Sequence, residues 1–258
     1  MMTKKLNIKV FSDGAVLETM LKDLQTGLVT GFTTNPSLMK KAGISSYIGF
    51  AKEVLAKITD YPVSFEVFAD DLASVEKEAE KIASLGDNVY VKIPVTTSTG
   101  ESTCPLIQKL SAKGIKLNVT AIFTIEQTQA VVDHLTAGVP AIVSVFAGRI
   151  ADGVPAIVSV FAGRIADTGV DPMPIMEEAL RICRQKEGVE LLWASPRETY
   201  NIYQADQLGV DIITCTTDLI AKLPLQGKDL EDYSLETVQM FLKDSTSLGF
   251  KILEDAKH

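Results

Sequence analysis

The stretch Asn88-Val-Tyr-Val-Lys-Ile-Pro-Val95 alternates apolar residues with residues of other kinds. In a β-strand, its valines and isoleucine would face one side and pack against helices, while Tyr90 and Lys92 would face the other side. Lysine is rarely buried without a partner or a chemical role. For a single lysine, a side chain that reaches solvent at a strand end or pairs with a carboxylate is a sufficient explanation. The rest of the chain therefore has to decide between these interpretations.

Similar short runs rich in β-branched residues recur along the chain, with helical patterns between them. We predict strands near residues 8–12, 28–34, 62–69, 88–95, 116–122, 155–162, 190–195 and 212–216. Eight such strands without an intervening linker favour an α/β fold, a single-domain (β/α)8 TIM barrel. We place the barrel at residues 1–221 and a helical extension at residues 222–258. An open doubly wound sheet is the alternative, but its first turn would normally be rich in glycine, whereas FSDGAVLE has one glycine.

Helical periodicity predicts helices over Ser74–Leu85, Glu177–Lys186 and Leu235–Lys243. A capping box at Thr124–Gln127 predicts the start of another helix, which continues through Ala130–Leu135.

A tandem repeat interrupts this pattern, because GVPAIVSVFAGRIAD occupies residues 138–152 and again residues 153–167. Two identical units are not a solenoid and indicate a recent in-frame duplication or a sequence-assembly error. One copy would supply the sixth strand and the other would be surplus. We assign the strand to the second copy, which puts the surplus in the preceding loop, away from the face where barrel active sites form. Under the opposite assignment, Ser144 and Arg149 of the first copy would take the places that Ser159 and Arg164 have in the second copy.

Composition excludes several functional classes. The 258 residues include 33 acidic residues and 25 Lys and Arg, a formal charge of −8, which argues against a nucleic-acid partner. Three separated cysteines and two histidines predict neither a disulfide framework nor a metal site, and they favour a cytoplasmic location. We predict no signal peptide and no membrane-spanning segment.

Further polar side chains are predicted to converge with Lys92 on one face. By alternation, Glu66 in strand three and Asn118 and Thr120 in strand five face inward, whereas Asp13 ends strand one and Asn35 ends strand two. Each could be structural on its own, but buried polar groups need partners, and so many together indicate a site. A desolvated lysine amine can attack a ketone to form a Schiff base, and a nearby carboxylate can accept a hydroxyl proton.

Cationic residues follow the later strands. Arg164 (or Arg149 in the first copy) and Arg197 lie just beyond strands six and seven, and Ser195 is close by. A single arginine there would more often form a surface ion pair, but two on adjacent strands favour an anionic substrate such as a phosphate.

Six segments together resemble the transaldolase family, particularly its small single-barrel members. The segments are GFTTNPSLM (31–39), FEVFA (65–69), YVKIPVT (90–96), LNVTAIFT (117–124), SVFAGRIAD (159–167) and LLWASPRE (191–198). The resemblance implies transfer of a dihydroxyacetone unit from a ketose phosphate to an aldose phosphate, as in the pentose phosphate pathway. It also implies a homo-oligomer that needs no cofactor and no metal.

The resemblance also implies a role for each candidate residue. Lys92 would form the Schiff base, Asp13 would be the base for carbon–carbon cleavage, and Glu66 and Thr120 would relay protons through water. The residues expected to bind the sugar phosphate are Asn35, Asn118, Ser159, Arg164, Ser195 and Arg197.

Three alternatives to a transaldolase remain. A sister group that cleaves fructose 6-phosphate typically has Gln in place of Glu66 and Tyr in place of Phe161 (Phe146 in the first copy), so the residues present favour transfer. The duplication could leave a catalytically impaired barrel that only binds sugar phosphates. An unrelated sugar-phosphate isomerase on the same fold would need a base but no imine.

Overall fold

The computed structural model describes residues 6–136, 141–143, 156–160, 162–184 and 189–248. Within these residues, nine parallel strands pair in sequence order and the last pairs with the first, so the sheet closes into a barrel. The strands are β1 (Lys9–Asp13), β2 (Val29–Thr33), β3 (Val63–Glu66), β4 (Val89–Pro94), β5 (Leu117–Thr120), β6 (Ala141–Val143), β7 (Ala156–Val160), β8 (Val189–Trp193) and β9 (Ile212–Cys215).

Helices connect most of these strands. They are α1 (Leu17–Gln25), α2 (Pro36–Lys41), α3 (Tyr47–Lys57), α4 (Leu72–Ala83), α5 (Cys104–Ala112), α6 (Ile125–His134), α7 (Ala162–Asp167), α8 (Met173–Cys183), α9 (Tyr200–Leu208) and α10 (Thr217–Ile220). Parallel strands need such crossovers, which explains why the chain alternates between the two periodicities.

The alternation along each strand separates two apolar layers. Phe65, Val91 and Val119 are completely buried, as expected for residues between the sheet and the surrounding helices. On the inner side, Phe11, Leu192, Ala194 and Ile212 form a cluster against which Tyr90 packs. The barrel interior is therefore a packed core, and the polar inward residues lie toward the carboxyl ends of the strands.

Helix starts depend on local caps. The predicted capping box is present, because Thr124 and Gln127 each bind the other's backbone at the start of α6. Helix α4 begins two residues earlier than the predicted Ser74, because Asp71 is its N-cap and accepts a hydrogen bond of 2.9 Å from Ser74 N. Helix α8 begins at Met173 rather than at Glu177, with a proline in its first turn, where the missing N–H costs nothing.

The repeat departs from the prediction of one strand and one surplus loop. The second copy forms β7 as predicted, but the first copy also forms a strand, β6, which raises the strand number from eight to nine. The two copies pair in parallel with identical residues opposite each other, Ala141 with Ala156 and Val143 with Val158. The same apolar, β-branched run that favours a strand in one copy favours it equally in the other.

A second compact unit follows the barrel unit Leu6–Ala221. Its described part, from Lys222, contains a 3₁₀ helix at Leu223–Leu225 and the helix α11 (Leu230–Leu248), which includes the predicted Leu235–Lys243. Among the helices of the described residues, none combines the length and the apolar character needed to cross a membrane.

We predict that Gly31→Ala destabilises the barrel. A Cβ atom at Gly31 would lie 2.5 Å from ring carbons of the buried Phe11, so the core would have to shift. Overpacking of this kind costs about 1–3 kcal/mol in the free energy of unfolding, which urea denaturation measures. Gly14→Ala is the control, because a Cβ atom there meets nothing within 4 Å. An equal effect of both substitutions would contradict the prediction.

Candidate active site

A cavity of about 480 Å³ opens at the carboxyl ends of the strands. Its walls include Asp13 of β1, Glu66 of β3, Lys92 of β4 and both Asn118 and Thr120 of β5. This is the face on which (β/α)8 barrels place their active sites. The structure therefore brings together the polar residues that strand alternation and the strand ends indicate in the sequence.

Lys92 is the central cation of the cavity. Its side chain is 10% exposed, and its Nζ lies 2.9 Å from Oε2 of Glu66. The register of the sheet causes this contact, because Glu66 and Lys92 are directly opposite each other on β3 and β4. Nζ also donates to the backbone oxygen of Thr34 at 3.4 Å. The lysine thus has a carboxylate partner, and its amine reaches the cavity where a carbonyl could bind.

Asp13 is the second carboxylate of the cavity and ends β1. Burial raises its pKa above the ordinary aspartate value, and the nearby Glu66 acts in the same direction. The charge of Lys92 and a hydrogen bond from Thr33 oppose this shift without cancelling it. A carboxylate with a raised pKa is a better proton acceptor than an exposed aspartate, which suits a general base.

β5 contributes an amide and a hydroxyl group next to Lys92. Asn118 lies opposite Lys92 in the sheet register and is completely buried. Its Nδ2 donates to Oγ of Ser64 at 3.0 Å, which orients the amide. Thr120, 3% exposed, lines the cavity one layer further toward the strand end.

Asn35 has a structural task as well as a place in the cavity wall. Its Oδ1 accepts a hydrogen bond of 3.0 Å from Leu38 N and so caps α2. Because the side-chain oxygen is used in this way, the amide NH2 group is the part that can meet a ligand.

The arginines divide into two environments. Arg164 and Ser195 line the cavity. The guanidinium group of Arg197 instead forms an ion pair with Asp167 of α7 and donates to Oγ of Ser195 at 3.1 Å. The resemblance implies that Arg197 binds the substrate, and in the structure its guanidinium group contacts Ser195, a residue of the cavity wall.

Close backbone contact explains the glycine of the GRIAD segment. A Cβ atom at Gly163 would lie 1.6 Å from the backbone oxygen of Ser195, so only glycine lets α7 approach this loop. Ser195 itself has a left-handed backbone with φ of 59°, and Ala121 at the end of β5 has φ of 62°. Such strain in residues other than glycine is typical of functional sites.

Several predicted positions lie outside the described residues. They are the side chain of Ser159, the first-copy residues Ser144, Phe146 and Arg149, and Phe161.

The cavity wall also contains two threonines that the sequence pattern does not indicate, Thr33 and Thr214. Thr33 Oγ1 donates to Oδ1 of Asp13 at 2.7 Å and lies 2.6 Å from Thr214 Oγ1. The available signal was the alternation of β9, in which Thr214 shares the inward side with Ile212. Threonine is so common in strands that this signal is weak.

In the part of the chain that the structure describes, no cluster of three His, Cys, Asp or Glu side chains could hold a metal ion.

Comparisons with known proteins agree with one another. The family model described as Transaldolase/Fructose-6-phosphate aldolase matches residues 10–255. A probable transaldolase from Erythrobacter litoralis is 34% identical over 251 residues, 95% of this chain and 100% of the relative. A probable transaldolase from Dehalococcoides mccartyi is 34% identical over 208 residues, 80% of this chain and 86% of the relative.

Solved structures of low sequence identity share the fold. A dihydrodipicolinate synthase from Rhodopseudomonas palustris superimposes with a TM-score of 0.56 at 9% identity, covering 91% of this chain and 81% of the other. A putative phosphonomutase from Burkholderia cenocepacia has a TM-score of 0.54 at 10% identity, covering 92% and 93%. At this identity, the likeness concerns the fold alone.

The raised pKa of Asp13 predicts a pH-dependent gain in stability when the carboxyl group is removed. A group whose pKa is higher in the folded chain favours folding while protonated, and this contribution is lost as the pH rises through the folded pKa. Asp13→Asn should therefore raise the free energy of unfolding at pH 7. The increase should be smaller at about pH 3.5, which is below the ordinary aspartate pKa.

Urea unfolding at the two pH values measures this difference. Asp60→Asn is the control, because Asp60 is exposed and surface substitutions change stability by about 0.5 kcal/mol or less. An effect of Asp13→Asn that is the same at both pH values would refute the link to ionisation.

Proposed function

Because the chain belongs to the transaldolase/fructose-6-phosphate aldolase family, we propose that it is a transaldolase that transfers a dihydroxyacetone unit from a ketose phosphate to an aldose phosphate. One observation carries the proposal: the Nζ atom of the buried Lys92 opens into a cavity that also contains Asp13 and Glu66. This set has a nucleophilic amine and two separate carboxylates.

In the proposed first half-reaction, the Lys92 ammonium group gives a proton to Glu66, whose Oε2 lies 2.9 Å from Nζ. The neutral amine then attacks the ketone carbon of the donor. The resulting carbinolamine takes up a proton, loses its hydroxyl group as water and becomes a protonated imine. We assign the delivery of this proton to Glu66, which holds the proton from Lys92, and to Thr120, both in the cavity wall, acting through a water molecule.

Cleavage of the carbon–carbon bond then needs a second base. We assign this role to Asp13, which accepts the proton of the substrate hydroxyl group as that carbon becomes an aldehyde. The electron pair of the broken bond forms the carbon–carbon double bond of an enamine, the second pair of the carbon–nitrogen double bond moves to the nitrogen, and the enamine stays on Lys92. Addition of the acceptor aldehyde reverses these steps, and water then releases the new ketose.

The remaining cavity residues suit a sugar phosphate. Asn35 and Asn118 can bind hydroxyl groups, and Arg164 with Ser195 can bind the phosphate group. We propose that Arg197 supports this end through its hydrogen bond to Ser195, and that Ser159 belongs to the same subsite. We further propose a cytoplasmic homo-oligomer.

Fructose-6-phosphate aldolase activity is the second candidate, since the family includes it. In that reaction, free dihydroxyacetone leaves without an acceptor. Glu66 favours transfer, because the sister group typically has Gln at this position.

Borohydride trapping tests the Lys92 imine. With fructose 6-phosphate and borohydride, we expect a covalent sugar fragment on Lys92, because reduction makes the carbon–nitrogen bond permanent. Mass spectrometry of the digested protein locates the adduct. Lys92→Met should abolish both the adduct and turnover.

Lys116→Met is the matched control, because Lys116 precedes β5 at the opposite end of the barrel, near the Tyr90 ring. This variant should keep the adduct. Turnover that survives Lys92→Met would exclude the imine and favour an isomerase.

Deletion of residues 138–152 tests whether the extra strand matters. The first copy pairs with β5 and the second with β8, and the copies are identical, so one copy can make both pairings. We expect the shortened chain to fold and to form the Lys92 adduct to a similar extent, because Asp13, Glu66 and Lys92 precede the repeat. An adduct in the shortened chain alone would show that the duplication impairs the full chain.

A further inference from the structure

Two threonine hydroxyl groups form a hydrogen-bonded series that ends on the carboxyl group of Asp13. β1 pairs with β2 on one side and with β9 on the other. Thr33 of β2 is directly opposite Asp13 in the sheet. Thr214 of β9, on the other side of β1, contacts the hydroxyl group of Thr33. The two hydroxyl oxygens are 2.6 Å apart, and Thr33 donates to Oδ1 of Asp13 at 2.7 Å.

The chemistry of the three groups determines which group donates in each hydrogen bond. An ionised carboxylate only accepts hydrogen bonds, and a hydroxyl group has one proton to donate. Because Thr33 uses its one hydroxyl proton in the hydrogen bond to Asp13, Thr214 must be the donor in the contact with Thr33. Both threonines are nearly buried, with 3% and 7% exposure, so the two hydrogen bonds are protected from water and can reinforce each other.

We propose that Thr33 and Thr214 are positioning residues for Asp13, which hold its Oδ1 and leave Oδ2 as the atom that accepts the substrate proton. This inference rests on the proposed function. The proton that leaves the substrate hydroxyl group ends on Oδ2, and both threonines keep their own protons throughout. Neither threonine needs to touch the reacting atoms.

Other ionisable groups also face Asp13. The charge of Lys92 on β4 lowers the pKa of Asp13, and that of Glu66 on β3 raises it. The charge of Asp13 in turn raises the pKa of the buried Cys215 thiol on β9. None of these groups is altered by substitutions at Thr33 and Thr214. A change in the pH profile of such variants therefore reports on the lost hydroxyl groups.

The test compares Thr33→Val, Thr214→Val, the double variant and Thr33→Ser. Loss of the Thr33 hydroxyl should raise the pKa of Asp13 and move the acid limb of kcat/KM to higher pH by roughly one unit. The cleavage rate should fall by roughly ten- to a hundredfold, because Oδ2 is no longer held in place. Formation of the Lys92 adduct should be unchanged, because it precedes the step that uses Asp13.

The pattern among the variants separates positioning from simple packing. Thr33→Ser keeps the hydroxyl group and should restore the wild-type acid limb. Thr214→Val should shift the limb only while Thr33 is present and add nothing to Thr33→Val. Thr30→Val is the control on the same strand, because its hydroxyl group donates to the backbone oxygen of Val10, away from the cavity.

The outcomes distinguish this inference from the proposed function. If Thr33→Val forms the adduct but keeps the wild-type acid limb and cleavage rate, the positioning role is wrong and the transaldolase proposal stands. If the wild-type protein forms no adduct and has no turnover, the proposed function fails and the positioning role fails with it.

Discussion

The contact between Lys92 Nζ and Glu66 Oε2, 2.9 Å long and almost excluded from solvent, is the interaction on which the site depends. Removing two charges from water is costly, and a buried ion pair recovers this cost only with good geometry and further hydrogen bonds. The barrel supplies that geometry through strand register, which places Glu66, Lys92 and Asn118 side by side on β3, β4 and β5. The fold thus maintains a polar arrangement that no single strand could hold.

The strands also separate the packing of the barrel core from the chemistry of the cavity. The apolar cluster of Phe11, Leu192, Ala194 and Ile212 fills the interior, and the polar residues at the strand ends are free to serve chemistry. The two carboxylates of the cavity also differ in their surroundings. Glu66 is paired with Lys92, whereas Asp13 is buried, has a raised pKa and is held by Thr33. Different surroundings are a means by which one site can hold two carboxylates with distinct tasks.

Strand alternation in the sequence is sufficient to predict which side chains point inward, so Lys92, Glu66, Asn118 and Thr120 could be found without a structure. It is not sufficient to predict which strands contact each other at which residue, because register depends on long-range pairing. The hydroxyl chain from Thr214 to Asp13 was missed for this reason, since those residues are 201 positions apart in sequence but meet through Thr33. The ninth strand was missed because the same run can pair with β5, with β8 or with its own copy.

Oxygen exchange at the ketone carbon tests the proposed imine most directly, because imine formation expels the ketone oxygen and hydrolysis replaces it with oxygen from water. Turnover in isotopically labelled water should introduce the label at the ketone carbon of the product at the rate of turnover, and Lys92→Met should abolish this incorporation. Turnover that leaves the original oxygen on the ketone carbon would contradict a Lys92 imine.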